Sequence, residues 1–283
     1  MTAELVTLAE PASERQYLFH RPSNSTNAVP LVIVLHGTGG TAAWADDETG
    51  WSAFADREGF ALALPDAIPP YITKPPKFLT NPQRWNDGSP SVGQFPSSEA
   101  DDVGFLTAVI HDAIARGSVD PNRVYVTGFS NGAGMTFRFA AERAELLAAI
   151  APVAGHSWLP EPKLARPVPT LYLIGTADPL VPIEGGSVRS PWGARVVRPR
   201  VMNTLRSWAT AIGCDGDPVT ANAGEVVFPA KPGGVEFRAQ FIKGLGHHWP
   251  GGKGQLDERF GGPPSSRVNG NEAVWAFLRR HRR

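Results

Sequence analysis

Residues 123–137 read RVYVTGFSNGAGMTF, which predicts a strand, a sharp turn and a helix in immediate succession. The first part is rich in β-branched residues, and the last part carries small and apolar residues at helical spacing. Between them, Gly128, Ser130 and Gly132 form a G-x-S-x-G pattern. Such glycines allow a strained turn that presents the serine at the carboxyl end of the sheet. Ser130 is therefore predicted to be a nucleophile rather than a structural turn serine.

Short apolar segments on both sides of this stretch alternate with helical patterns. The expected strands are 31–35, 60–64, 124–126, 148–153, 170–174 and 237–242. The expected helices are 102–115, 133–147, 201–212 and 272–280. This alternation predicts an α/β protein with a mostly parallel sheet and helices on both of its faces.

Two stretches interrupt the alternation. Residues 68–100 are rich in Pro, Ser and Asn, and residues 183–200 contain Trp192. Both are longer than ordinary connections, which is typical of functional or mobile loops. A chain of 283 residues suggests about two domains. The uninterrupted alternation elsewhere favours a single domain over residues 1–283 with two long loop insertions.

A serine nucleophile needs a base and an acid, which in this strand–helix arrangement follow it in the order Ser, acid, His. Asp178 follows the expected strand 170–174, where the alternative is an aspartate that caps a turn before Pro179. His247 and His248 follow the last expected strand. Adjacent side chains cannot both face the serine, and spacing alone favours His247 without excluding His248.

The loop after the first long strand reads HGTGGTA and predicts one side of an oxyanion hole. Its best-placed amide belongs to Thr38, and the second expected amide is that of Asn131, directly after the nucleophile. The same loop formally fits a dinucleotide-binding fingerprint with Asp56 and Glu58 downstream. A lone fingerprint is weak evidence for a dinucleotide site. The predicted nucleophile turn at Ser130, with this loop as its oxyanion hole, accounts for the same glycines.

Composition and sequence pattern argue against nucleic acid or a membrane as a binding partner and bear on the cellular compartment. Lys plus Arg and Asp plus Glu both number 27, so the net charge is zero and no polycationic surface for nucleic acid is expected. No apolar run approaches the roughly 18 residues that a membrane-spanning helix needs. The single cysteine, Cys214, and an N-terminus without a signal-peptide pattern indicate a cytoplasmic protein, unless a leader has been removed.

Several motifs together resemble the polyhydroxybutyrate depolymerase/feruloyl esterase group of α/β-hydrolases. They are LHGTGGTA, DDVGFL, RVYVTGFSNGAGM, GTADPLVPIEGG and GLGHHWPGG. The resemblance implies the α/β-hydrolase fold and supports Ser130 and Asp178 as catalytic residues. It also implies that the first histidine of the GLGHHWPGG motif, His247, is the base. Relatives in this group are often secreted and rich in cysteine, unlike this chain.

We therefore expect a serine carboxylic-ester hydrolase that acts on short-chain, hydroxyalkanoate-oligomer or feruloyl-type esters, without a cofactor or metal. The alternative is a serine peptidase or acyl-peptide hydrolase, which shares the G-x-S-x-G turn and the order Ser, acid, His along the chain. A catalytically inactive binding protein with this fold is a third possibility. The tentative substrate contacts are Phe129, Trp85, Trp158, Trp249 and His248.

Overall fold

The computed structural model describes residues 3–9, 14–22, 27–90, 99–116 and 119–283. The strands are β1 (Glu4–Ala9), β2 (Glu14–His20), β3 (Val29–Leu35), β4 (Ala61–Pro65), β5 (Val119–Phe129), β6 (Ala149–Val153), β7 (Thr170–Gly175), β8 (Gly186–Arg189), β9 (Arg195–Arg198), β10 (Val219–Asn222), β11 (Glu225–Phe228) and β12 (Phe237–Ile242). The helices are α1 (Ala42–Thr49), α2 (Trp51–Glu58), α3 (Asp102–Ala115), α4 (Asn131–Glu142), α5 (Val201–Ala211), α6 (Glu258–Gly261) and α7 (Gly270–Leu278), with a 3-10 turn at Ala144–Leu146.

A ten-stranded sheet organises the chain, in the order β1-β2-β4-β3-β5-β6-β7-β12-β11-β10. The strands from β4 to β12 in this order pair in parallel. The outer strands β1 and β2 on one side, and β11 and β10 on the other, pair antiparallel. The prediction of a mostly parallel sheet is confirmed, and the carboxyl ends of β3, β5, β7 and β12 meet along one edge.

Both faces of the sheet are covered, because alternate side chains of each buried strand point to opposite sides. Leu31, Ile33 and Leu35 of β3 join one apolar core, which contains side chains of α3, α4 and α5. Val32 and Val34 join a second core, which contains side chains of α1, α2 and α7. The sheet therefore lies between two helical layers, as the strand–helix alternation predicts.

Several elements differ from the sequence predictions. The antiparallel edge strands and the short helices α1 and α2 were not expected, and the helix expected at 133–147 is α4, which ends at Glu142. The stretch 183–200 is not a plain loop, because β8 and β9 form a separate antiparallel hairpin within it. In the other insertion, Lys77 and Asn81 exchange two backbone hydrogen bonds of 2.9 Å, and residues 91–98 lie outside the described residues.

The organisation of residues 1–283 as one domain stays a prediction. Among the described residues, no helix has the length and apolar character needed to cross a membrane.

Candidate active site

Ser130 occupies the sharp turn between β5 and α4. Its backbone has φ 58° and ψ −116°, in the left-handed half of conformational space that non-glycine residues rarely enter. Such a conformation costs about 1–3 kcal/mol and persists only where the surroundings hold it. Here the N–H of Ser130 donates to the carbonyl oxygen of Val153 at 2.9 Å. The turn therefore holds Ser130 at the carboxyl end of β5.

The glycines around Ser130 are required by close backbone packing. A Cβ atom at Gly128 would lie 2.3 Å from the carbonyl oxygen of Gly132. One at Gly132 would lie 2.4 Å from the carbonyl oxygen of Leu35, and one at Gly155 would lie 2.2 Å from that of Ser130. The turn can therefore form only where these three positions carry no side chain.

His247 lies between Ser130 and Asp178. Its Nε2 atom is 2.9 Å from Oγ of Ser130, and its Nδ1 atom is 2.7 Å from a carboxylate oxygen of Asp178. The carboxylate can only accept at Nδ1, so we assign the proton to Nδ1 and leave Nε2 to accept from the serine hydroxyl. The side chain of Asp178 is fully buried, and that of His247 is 4% exposed. The structure thus brings together the three residues that the sequence predicts as catalytic.

The acid and the base of this row are each fixed by backbone groups. The second carboxylate oxygen of Asp178 accepts the N–H groups of Leu180 at 2.8 Å and Val181 at 2.7 Å. The N–H of His247 donates to the carbonyl oxygen of Gly261 at 2.5 Å. Neither the acid nor the base depends on a mobile side chain for its position.

His248 faces a different direction from its neighbour. Its Nε2–H donates to the carbonyl oxygen of Gly262 at 2.8 Å, and the residue is 2% exposed. Within the described part of the chain, His247 is the histidine that contacts Ser130. The ambiguity that spacing left open is resolved by this geometry.

The loop after β3 lies directly beside Ser130, because a Cβ atom at Gly37 would be 3.2 Å from Cβ of Ser130. The backbone N–H groups of Thr38 and Asn131 have no hydrogen-bond acceptor among the described residues. His36 fixes this loop: its Nδ1–H donates to the carbonyl oxygen of Gly37 at 2.8 Å, and its Nε2 accepts from Ala67 at 3.1 Å. Burial lowers the pKa of His36, which suits the neutral ring that this bonding requires.

Trp85 requires a correction, because it is fully buried and lies outside the cavity next to Ser130. Its indole N–H donates to the carbonyl oxygen of His36 at 2.9 Å. Its backbone N–H donates to the Asn131 side-chain oxygen at 2.7 Å, and its carbonyl accepts from the same amide at 3.1 Å. Trp85 therefore joins the loop after β3 to the start of α4 instead of reaching a substrate.

A cavity of about 390 Å³ opens at Ser130. Three of the tentative contacts, Phe129, Trp249 and His248, line it, and the Phe129 ring centroid lies 4.7 Å from that of His247. Trp158 does not line the cavity, which corrects a second expectation. Its ring packs against His156 at a centroid distance of 5.4 Å.

The sequence analysis missed most of the opposite wall. The side chains missed include Trp44, Phe78, Leu79, Leu180, Val188, Ser190, Trp192, Val196, Arg198, Leu256 and Phe260. Phe78 and Trp192 come from the two insertions and meet at a ring distance of 5.3 Å, and the Trp192 indole N–H donates to the carbonyl oxygen of Phe78 at 2.8 Å. The available signal was the presence of aromatic residues in both unusually long loops.

Comparison with known proteins shows the family to which this chain belongs. The model of the family described as esterase PHB depolymerase matches residues 15–160, just over half of the chain. The chain belongs to the esterase PHB depolymerase family. The matched region includes the loop after β3, the Ser130 turn and α4.

Individual relatives of this family member carry esterase and depolymerase names. NocK from Nocardia uniformis subsp. tsuyamanensis, which carries an esterase name, is 32% identical over 79% of this chain and 66% of its own length. Feruloyl esterase B from Piromyces equi is 29% identical over 84% of this chain and 44% of its own length. Poly(3-hydroxyalkanoate) depolymerase C from Paucimonas lemoignei is 32% identical over 50% of this chain and 31% of its own length. The chain thus spans less than two thirds of the length of these curated relatives.

Solved structures show the fold of this family member. Native pOPH superposes with a TM-score of 0.64 at 13% identity, over 100% of this chain and 88% of the other. An acetyl xylan esterase from Aspergillus awamori superposes with a TM-score of 0.61 at 17% identity, over 91% of this chain and 98% of the other. The α/β-hydrolase fold predicted from the sequence motifs is confirmed.

Proposed function

We propose that this chain is a serine carboxylic-ester hydrolase that works through an acyl-enzyme. The observation that carries the proposal is the hydrogen-bonded row of Ser130, His247 and Asp178 at the mouth of an apolar cavity. A serine hydroxyl is a weak nucleophile until an adjacent base takes its proton. The esterase and depolymerase names of the relatives support the same reaction class.

In the first half-reaction, Nε2 of His247 takes the hydroxyl proton as Oγ of Ser130 attacks the ester carbonyl carbon. The N–H groups of Thr38 and Asn131 stabilise the oxyanion that forms, since both are without another acceptor among the described residues. The ester C–O bond then breaks, and His247 returns the proton to the departing alcohol. Asp178 orients the ring and stabilises its cation without taking the proton.

In the second half-reaction, His247 takes a proton from water, whose oxygen attacks the acyl carbon. The bond to Oγ breaks, Ser130 regains its proton and the carboxylic acid leaves. Each proton is returned through His247, so the mechanism needs no metal or cofactor.

The substrates we propose are short-chain, hydroxyalkanoate-oligomer or feruloyl-type esters. Support comes from the relatives named feruloyl esterase and poly(3-hydroxyalkanoate) depolymerase. The cavity of about 390 Å³ lies near the lower end of the roughly 300–1,000 Å³ typical of small-molecule sites. A small acyl or alcohol group is therefore a better fit than an extended chain bound along its length.

Covalent labelling and a substrate panel test the proposal. A fluorophosphonate should modify Ser130, as located by peptide mass spectrometry, and Ser130→Ala should lower kcat by about 10⁶-fold. The matched control is Ser187→Ala, at an exposed serine of β8, which should keep both labelling and activity. Turnover by Ser130→Ala close to that of the unmodified protein would contradict the proposal.

The panel should contain para-nitrophenyl esters, methyl ferulate, hydroxybutyrate oligomers and peptide anilides. Faster turnover of the anilides than of the esters would favour the peptidase alternative. An unlabelled Ser130 with no turnover of any member would favour an inactive binding protein.

A further inference from the structure

Arg198 places a cation in the cavity that contains Ser130. It ends β9, where side chains alternate between the two faces of the hairpin. Val196 and Arg198 line the cavity, whereas Arg195 and Val197 are exposed on the other face. The hairpin partner of Arg198 is Gly186, which has no side chain to compete for the same space.

One edge of the Arg198 guanidinium is held by the protein, and the other edge is available to bind a ligand. Its Nε–H donates to the carbonyl oxygen of Leu180 at 3.1 Å, and its carbon lies 5.6 Å from the centroid of the Trp158 ring. Leu180 is two residues from Asp178, so Arg198 is anchored to the loop that carries the proposed catalytic acid. Within the described ranges, neither terminal nitrogen of Arg198 has a hydrogen-bond acceptor, and no carboxylate oxygen lies within 4.0 Å of it.

Burial without a counter-ion disfavours the charged form of this side chain. Desolvation lowers the pKa of Arg198, and Arg84 lowers it further. The carboxylates of Asp87 and Asp178 act in the opposite direction from beyond ion-pair distance. Arg remains protonated in proteins, so the cavity wall carries a desolvated and incompletely balanced positive charge.

The acidic residues of the cavity are already occupied. The two carboxylate oxygens of Glu48 accept the backbone N–H groups of Gly254 at 2.8 Å and Gln255 at 2.9 Å. Asp257 pairs with Arg259 at 2.6 Å. Ser190, which is 6% exposed and lines the same wall, has a hydroxyl with no partner in the described structure.

We propose that Arg198 binds a carboxylate carried by the ester substrate, so that the enzyme prefers anionic esters over neutral ones of the same shape. The inference rests on the proposed function and narrows its substrate class. A guanidinium offers two parallel N–H donors that match a carboxylate, and this pairing is strengthened where water is excluded. The surrounding wall of Leu180, Val188 and Val196 suits the apolar spacer between the carboxylate and the ester.

The carboxylate can belong to the acyl or to the alcohol part of the ester, and two matched pairs of substrates separate these cases. For the acyl part, the para-nitrophenyl monoester of glutaric acid is compared with the para-nitrophenyl ester of glutaramic acid. For the alcohol part, para-acetoxybenzoate is compared with para-acetoxybenzamide. Each pair exchanges a carboxylate for a neutral amide of nearly equal size. Rates are corrected for hydrolysis without enzyme.

The variants are Arg198→Gln, which removes the charge, and Arg198→Lys, which keeps it as a point charge. Arg195→Gln is the matched control, because it removes an exposed arginine from the same strand. In at least one pair, kcat/KM should favour the anion by about 10-fold or more in the unmodified protein, as expected for a charge-assisted pair. The preference should disappear in Arg198→Gln, persist in part in Arg198→Lys and stay unchanged in Arg195→Gln. Thermal melting checks that each variant folds.

The inference is overturned if the unmodified protein prefers neither anion, or if Arg198→Gln keeps the preference. These results leave the proposed function intact, provided the neutral esters are hydrolysed. If no ester of the panel is hydrolysed, the proposed function fails, and saturation-transfer NMR with glutaramate and glutaramide still tests the binding site. Glutaramate should then bind the unmodified protein more tightly than it binds Arg198→Gln, and equal binding overturns the inference.

Discussion

The Ser130 side and the hairpin side of the cavity are built by different means. On the Ser130 side, backbone segments approach so closely that glycine is required at Gly128 and Gly132. On the hairpin side, β8 and β9 pair with each other and not with the main sheet. Among the described residues, this hairpin is joined to the rest of the protein by hydrogen bonds of single side chains, such as Trp192 to Phe78 and Arg198 to Leu180.

We infer from this difference that the Ser130 side fixes the geometry of the catalytic residues and the hairpin side sets the preference for substrates. A catalytic row must hold its atoms within a fraction of an ångström, which a turn packed into two buried strands provides. A wall made from an inserted hairpin can change its side chains without disturbing that packing. We therefore expect changes on the Ser130 side to alter stability and kcat, and changes on the hairpin side to alter KM and substrate preference.

Among the substitutions that compare the two sides of the cavity, Gly132→Ala should cause the largest loss of activity. The added methyl group would lie 2.4 and 2.6 Å from the carbonyl oxygens of Leu35 and His36, so the strand or the turn must shift. Overpacking of about 1–3 kcal/mol corresponds to a melting temperature lower by roughly 2–5 °C for a chain of this size. Activity should also fall sharply, because the shift separates Ser130 from the loop after β3. Calorimetry and ester hydrolysis measure the two effects.

Gly216→Ala is the control for this change, since the nearest heavy atom to its added Cβ would be 3.8 Å away. Its melting temperature should stay close to that of the unmodified protein. Equal melting of Gly132→Ala and Gly216→Ala would show that close packing does not define the Ser130 turn.

A smaller loss of activity is expected from Trp85→Phe. This change removes the indole N–H that the buried carbonyl oxygen of His36 accepts, at a cost of about 1–3 kcal/mol in stability. The loop that carries Thr38 loses this support, so kcat should fall by about 10-fold, a fraction of the ~10²–10³ lost with a whole oxyanion donor. KM should change less, because Trp85 does not line the cavity. A change confined to KM would argue against this positioning role.

The smallest effect is expected from Trp192→Phe, the same chemical change on the hairpin side. It removes the N–H that donates to the carbonyl oxygen of Phe78, but Trp192 is partly exposed and water can replace that donor. The net loss of such a hydrogen bond is about 0.5–1.5 kcal/mol at most. KM should change a few-fold while kcat and melting temperature remain near those of the unmodified protein. A larger loss of kcat here than in Trp85→Phe would break the distinction between the two walls.

The sequence predicted the parallel centre of the sheet well, because strands buried on both faces are continuous apolar runs. It did not predict β1, β2, β10 or β11, whose pairing at the sheet edges leaves a weaker pattern. Trp85 was misassigned because an indole lining a cavity and an indole buried beside it look the same in sequence. Arg198 was missed because its environment arises from strand pairing within the hairpin and from the carbonyl of Leu180.

The sequence alone predicted a mostly parallel α/β sheet, with Ser130 as the nucleophile and Asp178 as the acid, because the G-x-S-x-G turn and the polar residues after buried strands are local features; the α/β-hydrolase fold and the choice of His247 followed from the family resemblance. The three-dimensional arrangement was needed to show which histidine faces Ser130, what Trp85 supports and which charge the cavity carries. Those properties depend on distances between segments far apart in the chain: Ser130 and His247 are separated by 117 positions, yet their side chains lie 2.9 Å apart. Such distances are set by how the sheet brings its strand ends together and how the hairpin packs above them.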